Sequence, residues 1–475
     1  MPSILGANTL SGGFEVANSL RFDKPSDSYL AKTFSSAGST RKFTFSTWLK
    51  GHDTSVHGST YFFVGNINGS SNIDAIGITD SGIQVSINSA TEGSLNSTAL
   101  FRDLNAWYHF VIGVDTEQGT ASNRVKVYIN GTQITAWDTE TYPDQNYDFT
   151  GINSTEAHNV SYSDSEHNGY LCETVFIDGT QYAADSFGEF DETTPTIWKP
   201  KNVKGLTFGQ NGFYLEYKQT GTSANSSGLG ADTSGNDHHF SVNGLAAVDQ
   251  STDTCTNNYA TINPLDNYYN AATFSEGNLK ITTANSGGYA PTVSSYGVNS
   301  GKWYAEVKYV SRSASDNYSM IGVRSTQTAN TNYLGQNTND YAYYSGNGKT
   351  YSGGSASNYG NSYDQGETIG IYLDLDNNKL YFSKDGTLQN SGTGVSITAP
   401  GSTSLGNYFF SAMDYGNSVS NVYEWNFGGG TPTSISSGNA DDNGYGNFEY
   451  SPNITGDGAA KSFYALNTKN IAEFG

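Results

Sequence analysis

Apolar and polar residues alternate with a period of two along most of this chain, and that period predicts strands rather than helices. Phe43, Phe45 and Leu49 fall on one face of the run 43–49. Tyr108, Phe110, Ile112 and Val114 fall on one side of 107–114. The run 125–129 leads into Asn130-Gly131, the strongest short hairpin signal, because both residues accept the left-handed backbone of a two-residue turn. The second half repeats the style. Trp303, Ala305, Val307 and Tyr309 share a face, as do Ile369, Ile371, Leu373 and Leu375. Asp376-Asn377-Asn378 then turns the chain into 380–382, and Asp385-Gly386 marks the next turn. No stretch holds a 3.6-residue period and no heptads occur, so any oligomer is not a coiled-coil stalk.

At 475 residues the chain is too long for one core, and two or three domains are expected. Residues 219–237 and 428–447, rich in Gly, Ser, Thr and Asn, read as loop or linker and divide it into roughly 1–250, 265–428 and a short tail. The predicted fold class is all-β, with two tandem antiparallel β-sandwich domains. Hydrophobic residues make up only 35%, a level that elsewhere accompanies disorder, but aromatics reach 13% and set the chain apart from disordered sequences.

Charge narrows the partners. The formal net charge is −22 and the 23 Lys and Arg are scattered, which argues against nucleic acid and against an anionic membrane surface. No apolar run has the length to span a bilayer. Cys172 and Cys255, the only cysteines, are too few for a Cys-rich zinc site. They fit either one long-range disulfide or two buried free thiols, and the second reading is favoured. The N-terminus lacks the basic and apolar regions of a signal peptide, yet the composition looks extracellular. A virus particle assembled in a host cytoplasm and released by lysis reconciles the two, as does a truncated or non-classically exported adhesin.

Particular motifs carry a family resemblance. Ser19-Leu20-Arg21-Phe22, the run 45–48, Trp107-Tyr108-His109 and Val127-Tyr128-Ile129-Asn130-Gly131 resemble the LamG-like, concanavalin A-like jelly roll. Together with Phe176-Ile177-Asp178-Gly179, Gly212-Phe213-Tyr214-Leu215, 232–236 and 258–265, the pattern resembles marine bacteriophage structural proteins. Gly301-Lys302-Trp303-Tyr304-Ala305-Glu306-Val307, Ile321-Gly322-Val323, Gly366-Glu367-Thr368-Ile369-Gly370, Asp374, Asp376 and 382–386 resemble a SPRY domain. Residues 465–470 resemble the ending of the same phage proteins. The resulting division is an N-terminal segment 1–18, a jelly roll 19–250, a linker 251–267, a SPRY-like sandwich 268–428 and a C-terminal tail 429–475. SPRY domains bind proteins or other ligands through loops at one end and are not catalytic.

The resemblance sets the expected function: a non-enzymatic virion structural protein of a phage, tail-fibre or capsid-fibre-like, on the virion surface. Its jelly roll would serve attachment or assembly, and its SPRY-like domain would recognise a host-surface glycan or protein. The implied partners are other virion proteins and further copies of the chain, a trimer by analogy with phage fibres. The alternatives are a cellular or secreted carbohydrate-binding adhesin and, third, a glycoside hydrolase.

Candidate chemistry is sparse. Retaining glycosidases hold two carboxyls about 5 Å apart. The nearest match is Glu189-Phe190-Asp191-Glu192, where Glu189 and Asp191 share a strand face, Glu192 points away and Thr193 stands where a third carboxylate is needed. No catalytic residue is assigned. His238 and His239, if in a strand, face opposite sides and chelate poorly. His109 sits in the polar phase of its strand, where a solvated or hydrogen-bonded role is expected. No phosphate-binding glycine motif occurs. Calcium is the one cofactor considered: LamG-like folds often hold one, and Asp232, Asn236 and Asp237 in one loop could supply oxygen ligands. Aromatics carry the argument for binding. Tyr341, Tyr343, Tyr344 and Tyr351 lie in a Ser/Gly/Asn-rich segment, a composition suited to recognition. If Tyr341 and Tyr343 form a buried strand face, Tyr344 and Tyr351 remain as the ligand-binding pair. Finally, Ile4, Leu5, Leu10, Phe14 and Val16 at one end, and Phe448, Tyr450, Phe463, Tyr464, Leu466, Ile471 and Phe474 at the other, are at odds with free tails and predict docking, on their own chain or on a partner.

Overall fold

The computed structural model describes residues 13–51, 59–66, 72–80, 82–161, 167–267, 271–284, 289, 291–313, 317–326, 332–414 and 420–475. The chain forms two compact units, Met1–Asn257 and Asn258–Gly475. Both are sandwiches of antiparallel sheets, and the one α-helix among the described residues is the seven-residue Thr468–Phe474. No helix among these residues is long and apolar enough to cross a membrane.

In the first unit one sheet runs Thr132–Gln133, Val125–Ile129, Trp107–Asp115, Lys42–Lys50, Gly169–Asp178, Ser19–Phe22, Gln250–Ser251, with Phe213–Leu215 also paired to Gly169–Asp178. The second runs Trp137–Thr141, Gly93–Ser97, Gly82–Ile87, Ile73–Thr79, Ser59–Asn66, Ala157–Val160, Tyr29–Thr33, Ser241–Asn243. The period-two faces read from the sequence meet between them: Phe43, Phe45, Leu49, Phe110, Ile112 and Val114 lie in one buried cluster, and Phe45 stacks on Phe63 of the facing sheet at 4.6 Å. Asn130 and Gly131 have φ of 47° and 79°, the two left-handed residues of the hairpin turn.

The outer face of the first sheet is covered as well. Trp48, Trp107, Tyr170, Trp198, Phe208 and Tyr214 form a second buried cluster that includes Val16 and Cys255. Val16 is tied there by its N–H, which donates to Thr256 Oγ1 at 3.1 Å. Ile4, Leu5 and Leu10 lie outside the described residues. Cys172 and Cys255 are free and buried, and burial pushes both thiols up. His109 is buried and hydrogen-bonded, not solvated. It stacks on Trp48 at 4.6 Å and accepts the Trp198 indole N–H at Nδ1, 2.9 Å away, which leaves Nε2–H to donate to Ser46 Oγ. Burial lowers its pKa to about 3, so the ring is neutral.

The second unit has a nine-stranded sheet, Thr273–Ser275, Lys280–Thr282, Asn421–Asn426, Lys302–Arg312, Thr368–Asp374, Lys379–Lys384, Thr387–Leu388, with Val395–Ser396 and Tyr464–Ala465 paired at its side. Its six-stranded partner runs Thr292–Val293, Phe409–Asp414, Ser319–Arg324, Tyr341–Tyr344, Lys349–Ser352, Ser355–Asn358. Trp303, Ala305, Val307, Tyr309, Ile369, Ile371, Leu373 and Leu375 fill the core between them. The opposite face of the nine-stranded sheet bears Tyr304, Tyr372 and Tyr381, and the C-terminal segment covers it with Phe448 and Phe463. Glu306 holds that segment: Oε1 accepts from Tyr450 N–H at 2.7 Å and Tyr304 Oη at 2.9 Å, and Oε2 accepts from Glu449 N–H at 3.0 Å. The C-terminal docking predicted from its aromatics is therefore on its own chain.

Two stretches read as connectors are packed. Residues 219–237 belong to the first unit, with Leu229 in its core. In 251–267, Ser251 pairs with Ser19, Cys255 is buried in the first unit, and Ala260 and Ile262 enter the core of the second. Their polar composition masked this because hydroxyls and amides there bond backbone groups, as Thr256 does.

A bulge interrupts strand Gly169–Asp178 between Cys172 and Val175. At it Glu173 adopts φ 51°, is buried, and accepts the Tyr214 hydroxyl. Burial and the nearby Glu216 push its carboxyl up to about 7 against the pull of the Tyr214 hydrogen bond. A folded pKa above the unfolded one stabilises the fold fully below about pH 4.5, and that contribution is lost as pH rises through about 7. Glu173→Gln, neutral throughout, should therefore unfold at a denaturant midpoint that gains on wild type between about pH 5 and about pH 8; a pH-independent difference would contradict this. Phe463→Ala should destabilise the second unit by about 3–5 kcal/mol, read from chemical denaturation, and an unchanged midpoint would show that the tail does not support the fold.

Candidate functional site

Strand alternation in the six-stranded sheet separates the tyrosines. Tyr341 and Tyr343 point into the core. Tyr344 lies on the opposite face, and the register that sets Ala342 against Tyr351 and Tyr344 against Met320 brings Tyr351 to the same face. Tyr344 and Tyr351 meet edge to face at 5.7 Å. Tyr333 joins Tyr351 at 6.3 Å and Tyr289 joins Tyr333 at 5.8 Å, both edge to face. These four half-buried rings rest on Met320, Leu334, Ala342 and Met413. Edge-to-face packing holds each ring at low entropic cost while leaving polar edges near solvent.

Tyr351 also borders a groove of about 460 Å³. One wall comes from the sheet edge, with Thr350, Ser352, Ser355, Ser357 and Asn358. The other comes from Asn390 and the segment Gly394–Thr398. Tyr341 and Tyr359 are also in the lining, and none of the lining residues carries a charge. The Tyr341 hydroxyl accepts from Thr398 N–H at 2.9 Å, which ties the two walls together. Strand Ser355–Asn358 ends the sheet and is exposed at every residue. Such a surface offers hydroxyls, amides and aromatic rings, which suits a neutral, polyhydroxylated ligand and gives no Coulomb attraction to a charged one.

A second cavity, of about 270 Å³, lies over the nine-stranded sheet and is lined by Glu306, Lys308, Glu424, Asn426, Glu449 and Tyr450 among others. Burial pushes Glu306 up to about 7. Its carboxylate oxygens are occupied by the tail N–H groups described above, so it acts as an anchor. Glu424 is bound by Lys280 at 3.3 Å and by the Thr433 hydroxyl.

The other sequence candidates take structural parts. Asp232 folds its own loop: Oδ1 accepts from the N–H groups of Tyr214 at 2.8 Å and Ser234 at 2.9 Å, and Oδ2 accepts from His238 N–H at 2.9 Å. The Asn236 amide donates to Gly209 O and Gly212 O at 2.7 and 2.9 Å. Asp237 points to solvent, with its side chain 88% exposed and His239 Nε2 at 3.8 Å. These three do not converge on one point through their bonding groups, and among the described residues no cluster of three or more His, Cys, Asp or Glu side chains is arranged for a metal. His238 Nε2 pairs with Gln210 O, and His239 Nδ1 accepts from Asp232 N–H. Glu189 and Asp191 do share a face, with Lys199 between them at 3.5 and 3.4 Å. The hydroxyl and N–H of Thr193 and the N–H of Thr194 hold Asp191 down at about 2.

Strand alternation put Tyr344 and Tyr351 on the face away from Tyr341 and Tyr343, where the structure has them, but it singled out neither Tyr289, Tyr333 nor the groove. The Ser/Thr/Asn run 350–358 was a usable signal for one wall; the opposite wall, 390–398, is brought in only by the fold.

Residues 24–187 match the family model described as the concanavalin A-like lectin/glucanases superfamily, and residues 302–420 match the SPRY domain model. No curated protein matches the chain. Among solved structures it is similar to the SPRY domain of human HERC1, at 18% identity over 34% of this chain and 96% of that one, with a TM-score of 0.29. It is also similar to a heptameric SAP-like pentraxin from Limulus polyphemus, at 14% identity over 36% and 80%, TM-score 0.28, and to stonustoxin, at 16% over 35% and 27%, TM-score 0.26. The chain is an all-β protein in which a LamG-like, concanavalin A-like domain is followed by a SPRY domain.

Proposed function

We propose that the protein is a non-enzymatic binding protein on the surface of a phage particle, and that its second unit engages a neutral glycan of the host surface. The observation that carries this is the uncharged groove bordered by Tyr351. In a chain of net charge −22, a lining without one carboxylate is a selective feature. The lectin-containing superfamily matched by the first unit and the SPRY match of the second are consistent with binding. The resemblance of its motifs to those of phage structural proteins supports the virion setting.

The purified chain on an array of neutral and uronic-acid oligosaccharides should bind neutral members. Tyr351→Ala should weaken that binding about tenfold, the loss of roughly one stacking contact, with the melting temperature nearly unchanged. Exclusive binding of acidic glycans, or Tyr351→Ala binding as tightly as wild type, would remove the groove from consideration. Mass spectrometry of purified particles should recover the protein. Glycan binding by a protein absent from particles would point instead to a cell-borne adhesin.

A further inference from the structure

The covered outer face of the first unit's sheet holds a charge pair within an aromatic surround. Lys50 is the last residue of strand Lys42–Lys50, and the register places Trp107 directly across from it on one neighbour and Tyr170 on the other. Trp48, two residues earlier, lies on the same face. Lys50 Nζ sits 5.7 Å from the Tyr170 ring centre and 2.5 Å from Asp253 Oδ2, with the two side chains 1% and 3% exposed. The other Asp253 oxygen accepts the Trp107 indole N–H at 3.3 Å. The Asp253 backbone is fixed too: its N–H donates to Ser251 Oγ at 3.0 Å and its carbonyl accepts from Ser19 Oγ at 2.6 Å. Among the described residues this is the one lysine–carboxylate pair with both side chains less than a tenth exposed.

An ion pair in such a site loses the hydration of both charges. Burial lowers the Lys50 ammonium despite the pull of Asp253. A proton passing from Nζ to the carboxylate replaces two buried charges with a neutral amine and a neutral carboxylic acid. These two groups react as well as associate, and they are already held in contact in a fixed geometry, the arrangement that raises effective molarity most.

We propose that Lys50 and Asp253 condense into an intramolecular isopeptide bond. The Nζ lone pair attacks Asp253 Cγ and forms the N–C bond. Negative charge moves onto the oxygen facing Trp107, whose N–H donates to it. A proton passes from nitrogen to the hydroxyl oxygen, the C–O bond breaks, and one water leaves. Amine plus acid gives amide plus water, with no oxidant, nucleotide or metal required. The bond joins positions 203 residues apart and closes the strand Lys42–Lys50 onto the last residues of the first unit. A cross-link of that span restricts the unfolded chain and resists its extraction under load.

Intact mass of the denatured full chain decides the matter, together with tandem mass spectrometry of its protease digest. The expected result is a chain lighter than its sequence by one water, and a branched peptide joining Lys50 to Asp253. Lys50→Met and Asp253→Ala should each show the full sequence mass. Trp107→Phe keeps the aromatic wall but lacks the N–H, and should show a smaller cross-linked fraction soon after synthesis. A wild-type chain at full mass with linear peptides spanning Lys50 and Asp253 overturns the proposal. So does a water loss that maps elsewhere, such as a succinimide. Because the wild-type digest is decisive alone, misfolding of a variant does not blunt the test.

Discussion

In each unit one of the two sheets carries large aromatic residues on both of its faces, and the need to bury the second face organises all that lies outside the sandwich. An antiparallel sheet can leave one face in water. Here the first unit's sheet presents Trp48, Trp107, Tyr170 and Tyr214 outward, and the second unit's nine-stranded sheet presents Tyr304, Tyr372 and Tyr381. Chain that composition marks as loop or tail must cover them. The stretch around Trp198–Phe208, residues 253–256 and the N-terminal Val16 do so in the first unit, and Phe448 to Ala465 do so in the second.

Covering those faces also buries polar groups that lie among the aromatics, and four of them show how they are paired. His109 becomes a neutral ring between Trp198 and Ser46. Glu173 meets Tyr214, Glu306 receives the tail's backbone, and Lys50 meets Asp253. Buried polar groups that are satisfied specify one arrangement, because any other covering segment would leave them unpaired. The six-stranded sheet of the second unit differs. Its outward tyrosines stay half-buried, and one of them, Tyr351, also borders the open groove beside the end of the sheet.

The sandwich cores were legible in the chain. Period-two alternation assigned Phe43, Phe45, Leu49, Trp303, Val307, Ile369 and Leu373 to inward faces, and Asn130-Gly131 and Asp385-Gly386 to turns, because a strand's facing and a turn's left-handed residues are local properties. The same rule placed Tyr344 and Tyr351 away from Tyr341 and Tyr343. It did not reveal that His109, hydrogen-bonded as one of its two expected roles, is buried, or that 251–267 packs into both units, because each is covered by something distant in sequence.

What the sequence by itself determined is therefore the alternation: which residues face inward, where the chain turns, and that two β-sandwiches follow one another. Tertiary structure alone decided what covers the outward faces, and so which polar residues become buried partners and which tyrosines border a groove. The reason is physical. Facing follows from backbone geometry within a few residues, whereas the contact of Lys50 with Asp253, or of Tyr341 with Thr398, joins segments whose meeting depends on the packing of the whole unit.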